Sequence, residues 1–145
     1  LACACDYRMM AEGPWRIGTP ELSVGVPFPS IAMEILRLAI RADRLQAVIY
    51  RGKSCTPDEA LADGFVDELA PADDLLDRAI ETAARLGRLP ATSFALTKRL
   101  IRQPSQDRMA RYMRAIDQEV LEAWMSRDIQ AAVEAYVART LKKAT

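Results

Sequence analysis

Between Gly18 and Pro29 the chain packs three prolines and two glycines into twelve residues: Gly18-Thr19-Pro20-Glu21-Leu22-Ser23-Val24-Gly25-Val26-Pro27-Phe28-Pro29. Each proline lacks an amide hydrogen and clashes with the carbonyl four residues back, so no regular helix runs through the whole stretch. A connection this stiff is a natural seat for a functional group. It holds one acidic side chain, Glu21, between Pro20 and Leu22.

The segments on either side divide the chain. Ahead of the run, Cys5 to Met10 reads as a short strand and Ala11 to Pro14 as a turn. Trp15-Arg16-Ile17 is a second extended piece with apolar residues two apart. Behind it, helical spacing takes over. Ser30 is placed to cap a helix carrying Ile31, Ile35 and Leu38. Asp43 to Tyr50 reads as a short helix closed by Gly52. Thr56-Pro57-Asp58-Glu59 has the form of a capping box with proline in the first turn, and Gly64 stops that helix. Phe65 to Leu69 reads as a strand. A helix then starts at Asp73 or Asp74 and ends at Gly87, and another follows Pro90. Gln103-Pro104-Ser105 is expected to break the chain before a long helix from Ser105 to Trp124. Asp128 is expected to cap the last helix, and the basic tail at Lys142-Lys143 to fray.

Composition narrows the chemistry. Of 145 residues, 20 are basic and 20 acidic, a balance that argues against nucleic acid as the main partner. No apolar run approaches the length of a membrane span. There is no histidine, which excludes a His-dependent hydrolytic triad or a His-ligated metal site built within this chain. Three cysteines, Cys3, Cys5 and Cys55, form neither a zinc spacing nor an even set for disulfides. They are expected to be buried apolar thiols, with no metal bound.

Five segments, taken in order, resemble one family. They are Leu1 through Ala11, Ile17 through Val26 with its Pro-Glu-Leu core, Arg41 through Lys53, Thr56 through Leu69, and Ala95-Leu96-Thr97-Lys98-Arg99-Leu100. Together they resemble the crotonase family of enoyl-CoA hydratases and isomerases over nearly the whole chain. The resemblance implies an α/β (α+β) fold, the crotonase-like β-β-α spiral. Residues 1–70 would carry the last part of the spiral core with the active-site loop. Residues 71–145 would form a mostly helical region used for oligomerisation, with a homotrimer or hexamer as the assembly.

It also implies a chemistry. Family members polarise a CoA thioester carbonyl with two backbone N–H groups while a carboxylate moves a proton at the neighbouring carbons. Glu21 matches that acid–base glutamate, with Trp15, Pro27 and Phe28 expected around it on the substrate side. No cofactor is implied beyond the coenzyme A carried by the substrate. Both oxyanion donors, and the second glutamate that hydratases use, match positions ahead of Leu1. Hydratases follow the Pro-Glu motif with a glycine-rich turn that holds the attacking water. Here Val26-Pro27-Phe28-Pro29 stands in its place, without those glycines or their free amides. This favours a Δ3,Δ2-enoyl-CoA isomerase over an enoyl-CoA hydratase of fatty-acid β-oxidation. A non-catalytic scaffold with the same fold, and a free-standing helical binding module, are the further alternatives. Near the end of the chain, Tyr136 and Arg139 lie three apart at the place where the family contacts CoA, with Lys142 and Lys143 nearby. The expected setting is cytoplasmic. Met109, Met113, Ile116, Val120 and Trp124 are expected to form one apolar stripe along a helix.

Overall fold

A computed structural model describes residues 1–140. A short 3-10 turn at Ala2–Ala4 leads into β1 (Met9–Ala11), then β2 (Ile17–Gly18) and a one-turn helix α1 (Glu21–Val24). There follow α2 (Ser30–Ala39), α3 (Leu45–Arg51), β3 (Ser54–Cys55), α4 (Pro57–Asp63) and β4 (Glu68–Ala70). The rest of the described chain is helical: α5 (Leu75–Gly87), α6 (Ala91–Ala115), α7 (Asp117–Trp124) and α8 (Arg127–Thr140).

The strands make two small ladders. β1 runs parallel to β4 with Met10 opposite Leu69, and β2 antiparallel to β3 with Ile17 opposite Cys55. Both expected outer strands are shifted. The first forms at Met9–Ala11 rather than Cys5–Met10, and the last at Glu68–Ala70 rather than Phe65–Leu69. Arg8 explains where they start. Its carbonyl accepts the amides of Asp67 and Glu68. Its guanidinium bonds both Asp67 carboxylate oxygens at 2.7 and 2.9 Å and the Gly64 carbonyl at 2.7 Å. Pairing therefore begins just beyond that clamp, and Phe65 and Val66 are left to drop their side chains into the core.

The core is built from Leu36 and Ile40 of α2, Val48 and Ile49 of α3, then Cys55, Ala60, Phe65 and Val66. Among the described residues, every buried hydrophobic one lies between Val26 and Ala70. The capping box of α4 forms as read: Thr56 Oγ1 accepts the Glu59 amide at 3.3 Å, and a Glu59 carboxylate oxygen accepts the Thr56 amide at 2.9 Å. Gly64 ends α4 at φ +90°, a conformation that suits glycine because a Cβ would clash there.

Two acids are buried inside this layer. Asp63 bonds Arg44 at 3.1 Å and also pairs with Arg51. Glu34 is 1% exposed and bonds Arg37 of its own helix and Arg108 of α6, the latter at 2.9 Å. Arg108 also holds Ser105 Oγ at 3.0 Å. Those contacts account for a departure from expectation. Helix α6 continues through Pro104 from Ala91 to Ala115, although proline inside a helix costs about 3 kcal/mol. Ser105, 1% exposed, and Arg108 pin the following turn onto α2, and that anchorage outweighs the lost bond.

The break falls instead at Ile116 (φ −126°, ψ −35°), so the expected helix from Ser105 to Trp124 is two helices. The stripe from Met109 to Trp124 is divided with it, and Met113 and Ile116 are exposed. Two caps also differ. Pro29, not Ser30, occupies the cap position of α2, and Ser30 is its first helical residue. At the last helix it is Ser126, not Asp128, whose hydroxyl accepts the Ile129 amide, at 3.3 Å. Lys142 and Lys143 lie outside the described residues.

Two stability predictions arise here. A Cβ on Gly18 would stand 2.5 Å from the Lys53 carbonyl oxygen, so Gly18→Ala should push β2 off β3 and cost about 2 kcal/mol, measurable by chemical denaturation. The second concerns Asp63. Desolvation pushes its carboxyl up, but the hydrogen bonds and charges of Arg51 and Arg44 outweigh it and hold the group below the ordinary carboxylate range. A depressed acid favours the folded state above its unfolded pKa, and that contribution fades as pH falls through the folded value. Stability should therefore decline below about pH 4. Asp63→Asn should flatten that acid limb and lower neutral-pH stability by about 3 kcal/mol; urea titrations from pH 7 to 2.5 compare the two proteins.

Candidate active site

The Pro/Gly run resolves into a turn locked at both ends. Pro20 leads into α1, and Gly25 closes it in the left-handed region at φ +94°. One turn of helix fits between Pro20 and Pro27 because Pro20 stands ahead of the first residue and Gly25 reverses the chain. The carbonyl of Glu21 accepts two backbone amides, from Gly25 and from Val26, each at 2.9 Å. Val26 is 3% exposed and plugs the end of the turn into the protein. Glu21 is thus the first helical residue of a segment with little freedom to move.

Its side chain is half-buried, and the Oε2 atom is shut off from solvent without a hydrogen-bond donor among the described residues. Two residues earlier, Thr19 is 2% exposed and its Oγ1 has no partner among the described residues either. A carboxylate oxygen that has lost water and gained no donor keeps its lone pairs available. That is the condition for taking a proton from a bound molecule. Thr19 had no signal in the sequence beyond its place beside Pro20; only its burial marks it.

The other expected residues divide. Pro27 and Phe28 lie directly behind the turn. The Pro27 carbonyl accepts the indole N–H of Trp124 at 3.0 Å, and the half-buried Phe28 ring packs against the core cluster. Phe28 is thus in part a packing residue. Trp15 is 55% exposed, and its indole edge lies over Gly13. Gly13, at φ +115°, turns the chain between β1 and β2 just ahead of Trp15. Tyr136 and Arg139 do come together, the guanidinium 5.6 Å from the ring centre. Their helix packs on α1: Ala132 Cβ lies 3.3 Å from where a Gly25 Cβ would stand.

Sequence reasoning missed Asp117 and passed over the polar role of Trp124. Asp117 grips Ser30 twice, accepting its amide at 2.8 Å and its hydroxyl at 2.7 Å. Neither residue carried a local signal, since each acts on a segment some ninety positions away. The cysteines also differ from expectation. Cys55 is buried and Cys3 half-buried, and desolvation pushes both thiols up, but Cys5 is exposed. Among the described residues, no group of three or more His, Cys, Asp or Glu side chains could hold a metal ion. No helix among them is long and apolar enough to cross a membrane.

Two apolar clefts lie away from Glu21. One, of about 820 Å³, runs along α5 between Leu76, Ala83 and Phe94, with Tyr7 at its edge. The other, of about 450 Å³, lies between α2 and α6, lined by Ile35, Leu38, Ile101 and Met109.

With the turn, the ladders and the helical layer in view, the chain can be set against known proteins. Residues 1–143 match the family model described as enoyl-CoA hydratase/isomerase. The chain belongs to that family. Enoyl-CoA delta isomerase 1, mitochondrial, of Mus musculus is 29% identical over 145 residues, covering 99% of this chain and 50% of that protein. A probable enoyl-CoA hydratase of Mycobacterium bovis is 30% identical over 101 residues, covering 70% of this chain and 39% of that protein. Among solved structures, the human mitochondrial delta3-delta2-enoyl-CoA isomerase superposes with a TM-score of 0.89 at 25% identity, over 99% of this chain and 56% of that one. An enoyl-CoA hydratase from Mycobacterium marinum gives 0.74 at 27% identity, over 82% and 52%. The crotonase-like fold expected from the sequence is therefore the fold of this family member. The chain spans about half the length of the curated relatives it matches.

Proposed function

We propose that this chain supplies the proton-moving carboxylate of an enoyl-CoA isomerase, with Glu21 as the acid–base group. The observation that carries the reading is the state of that side chain: fixed on a closed turn, half-buried, and with Oε2 bonded to no donor among the described residues. Glu21 takes a proton from the carbon next to the thioester carbonyl of a 3-enoyl-CoA. The electron pair released flows toward that carbonyl, and its oxygen gains negative charge. The same carboxyl returns the proton two carbons further along, and the double bond ends beside the carbonyl. No atom is gained or lost. Stabilisation of the oxygen falls to two backbone N–H groups at positions ahead of Leu1, as in the family's chemistry.

The segment behind Glu21 supports isomerisation over hydration. Adding water to a double bond needs groups that hold that water. Pro27 and Pro29 have no amide hydrogen, the Val26 amide is bonded to Glu21, and the Ser30 amide to Asp117. Of residues 26 to 30, Phe28 alone keeps an amide with no bond among the described residues. An excluded water protects a shuttled proton from exchange and the substrate from hydration. The exposed apolar residues of α6 and α7, such as Leu100, Met113 and Leu121, fit association of subunits through this helical half, in a trimer or hexamer.

In the full-length protein, Glu21→Gln should lower turnover of 3-enoyl-CoA about 10³-fold with little change in the Michaelis constant. Full activity in that variant would remove the reading. Hydration of 2-enoyl-CoA by the unaltered protein, at a rate comparable to isomerisation, would turn it into a hydratase. Arg139→Ala tests the CoA end. If Tyr136 and Arg139 receive the nucleotide, the Michaelis constant should rise about threefold at constant turnover; steady-state kinetics distinguish this from no change.

A further inference from the structure

Helix α7 touches the segment behind Glu21 at two points, one at each end of the helix. Its first residue, Asp117, accepts both the amide and the hydroxyl of Ser30, at 2.8 and 2.7 Å. Its last residue, Trp124, donates its indole N–H to the Pro27 carbonyl at 3.0 Å. The dimensions agree. A helix from 117 to 124 rises roughly 10 Å, and three extended residues from 27 to 30 span roughly the same. The helix is thus as long as the segment it holds, and it bonds that segment by its ends.

That segment cannot hold itself. Pro27 and Pro29 donate no hydrogen bonds, and Pro29 gives α2 no side-chain cap. What precedes it is the closed turn, in which the Val26 amide bonds the Glu21 carbonyl at 2.9 Å. A shift of Pro27 therefore reaches Val26 directly and Glu21 through one hydrogen bond.

The geometry points to α7 as a splint for the wall of the site, with Asp117 and Trp124 as positioning residues. They fix the backbone of Pro27–Ser30 and, through Val26, the turn that aims the Glu21 carboxylate. Neither reacts with substrate. This rests on the reading of Glu21 as the proton-moving group. A displacement of about 1 Å at a reacting group can cost on the order of 10²-fold in rate, so a partial loosening has a measurable effect.

The test uses the full-length protein with Trp124→Phe, Asp117→Ala and Asp117→Asn. Phenylalanine keeps the ring but not the N–H, and Trp124 is 40% exposed, so the packing change is small. Asparagine can still accept one bond from Ser30, whereas alanine accepts none. Two readouts are taken: amide hydrogen exchange over residues 24–31, and steady-state kinetics on a 3-enoyl-CoA. Exchange over 24–31 should rise about tenfold in Trp124→Phe and Asp117→Ala and stay unchanged in α4. Turnover in the same two variants should fall about tenfold with the Michaelis constant within twofold, and Asp117→Asn should restore most of it. Unchanged exchange over 24–31, or unchanged turnover in an enzyme that Glu21→Gln inactivates, overturns the splint. If exchange rises as stated but Glu21→Gln leaves turnover intact, the splint stands as a backbone device and the role given to Glu21 falls.

Discussion

One carbonyl organises the functional end of this molecule. The backbone oxygen of Glu21 accepts the amides of both Gly25 and Val26, and it can do so because Gly25 takes a positive φ that other residues adopt only under strain. Those two bonds end α1 after a single turn and send Val26 into the protein. They leave the Glu21 side chain on the outer edge of a turn that cannot unwind without exposing Val26. The same closure brings α8 close: Ala132 Cβ lies 3.3 Å from where a side chain at position 25 would begin. Site, loop and last helix thus share one local geometry.

What was legible in the sequence was what is encoded locally. The Thr56 capping box, the stops at Gly52 and Gly64, and the acidic residue fixed among prolines all rest on interactions within a few positions. The capping box and the two glycine stops formed as read, whereas Glu21 opens a one-turn helix within the proline run. The family resemblance also came from short segments taken in order. What was not legible depends on partners far along the chain. Nothing near Pro104 announces that α6 continues through it; the reason is Glu34 on α2, which Arg108 reaches from the next turn. Nothing near Ser30 announces Asp117. Serine ahead of an apolar periodic stretch ordinarily caps with its own side chain, whereas here Pro29 takes the cap position and Ser30 gives both its polar groups to another helix. Trp15 precedes β2 and is exposed. Alternation shows that a strand is extended but not how far its first residue lies beyond the edge of the sheet.

The buried charges are placed at joins between elements. Glu34 ties α2 to α6, and Asp63, at the end of α4, takes arginines from either end of α3. A salt bridge removed from water adds little net stability, because desolvation consumes much of the Coulomb gain. Its geometric demand is strict, however: an acid sealed from water must meet its partners or lose several kcal/mol. Apolar helix faces such as α2 against α6 can slide by a turn at modest cost, and a buried carboxylate cannot. The ions therefore fix register between layers that greasy contacts alone would leave loose.

The same reasoning reaches the proposed proton-moving group, Glu21, from the opposite side. Glu34 and Asp63 are buried with each carboxylate oxygen bonded to an arginine, and they are structural for that reason. Glu21 is partly buried, yet its sheltered oxygen has no protein donor among the described residues. A fold that satisfies its two fully buried acids with arginine leaves the Glu21 Oε2 atom without a donor among the described residues, on a turn closed by two backbone bonds. Unmet bonding capacity is costly in a core, whereas beside a bound thioester it is the capacity that abstracts a proton. The contrast between carboxylates of the same chain, more than any property of Glu21 alone, is what supports the catalytic role proposed for it.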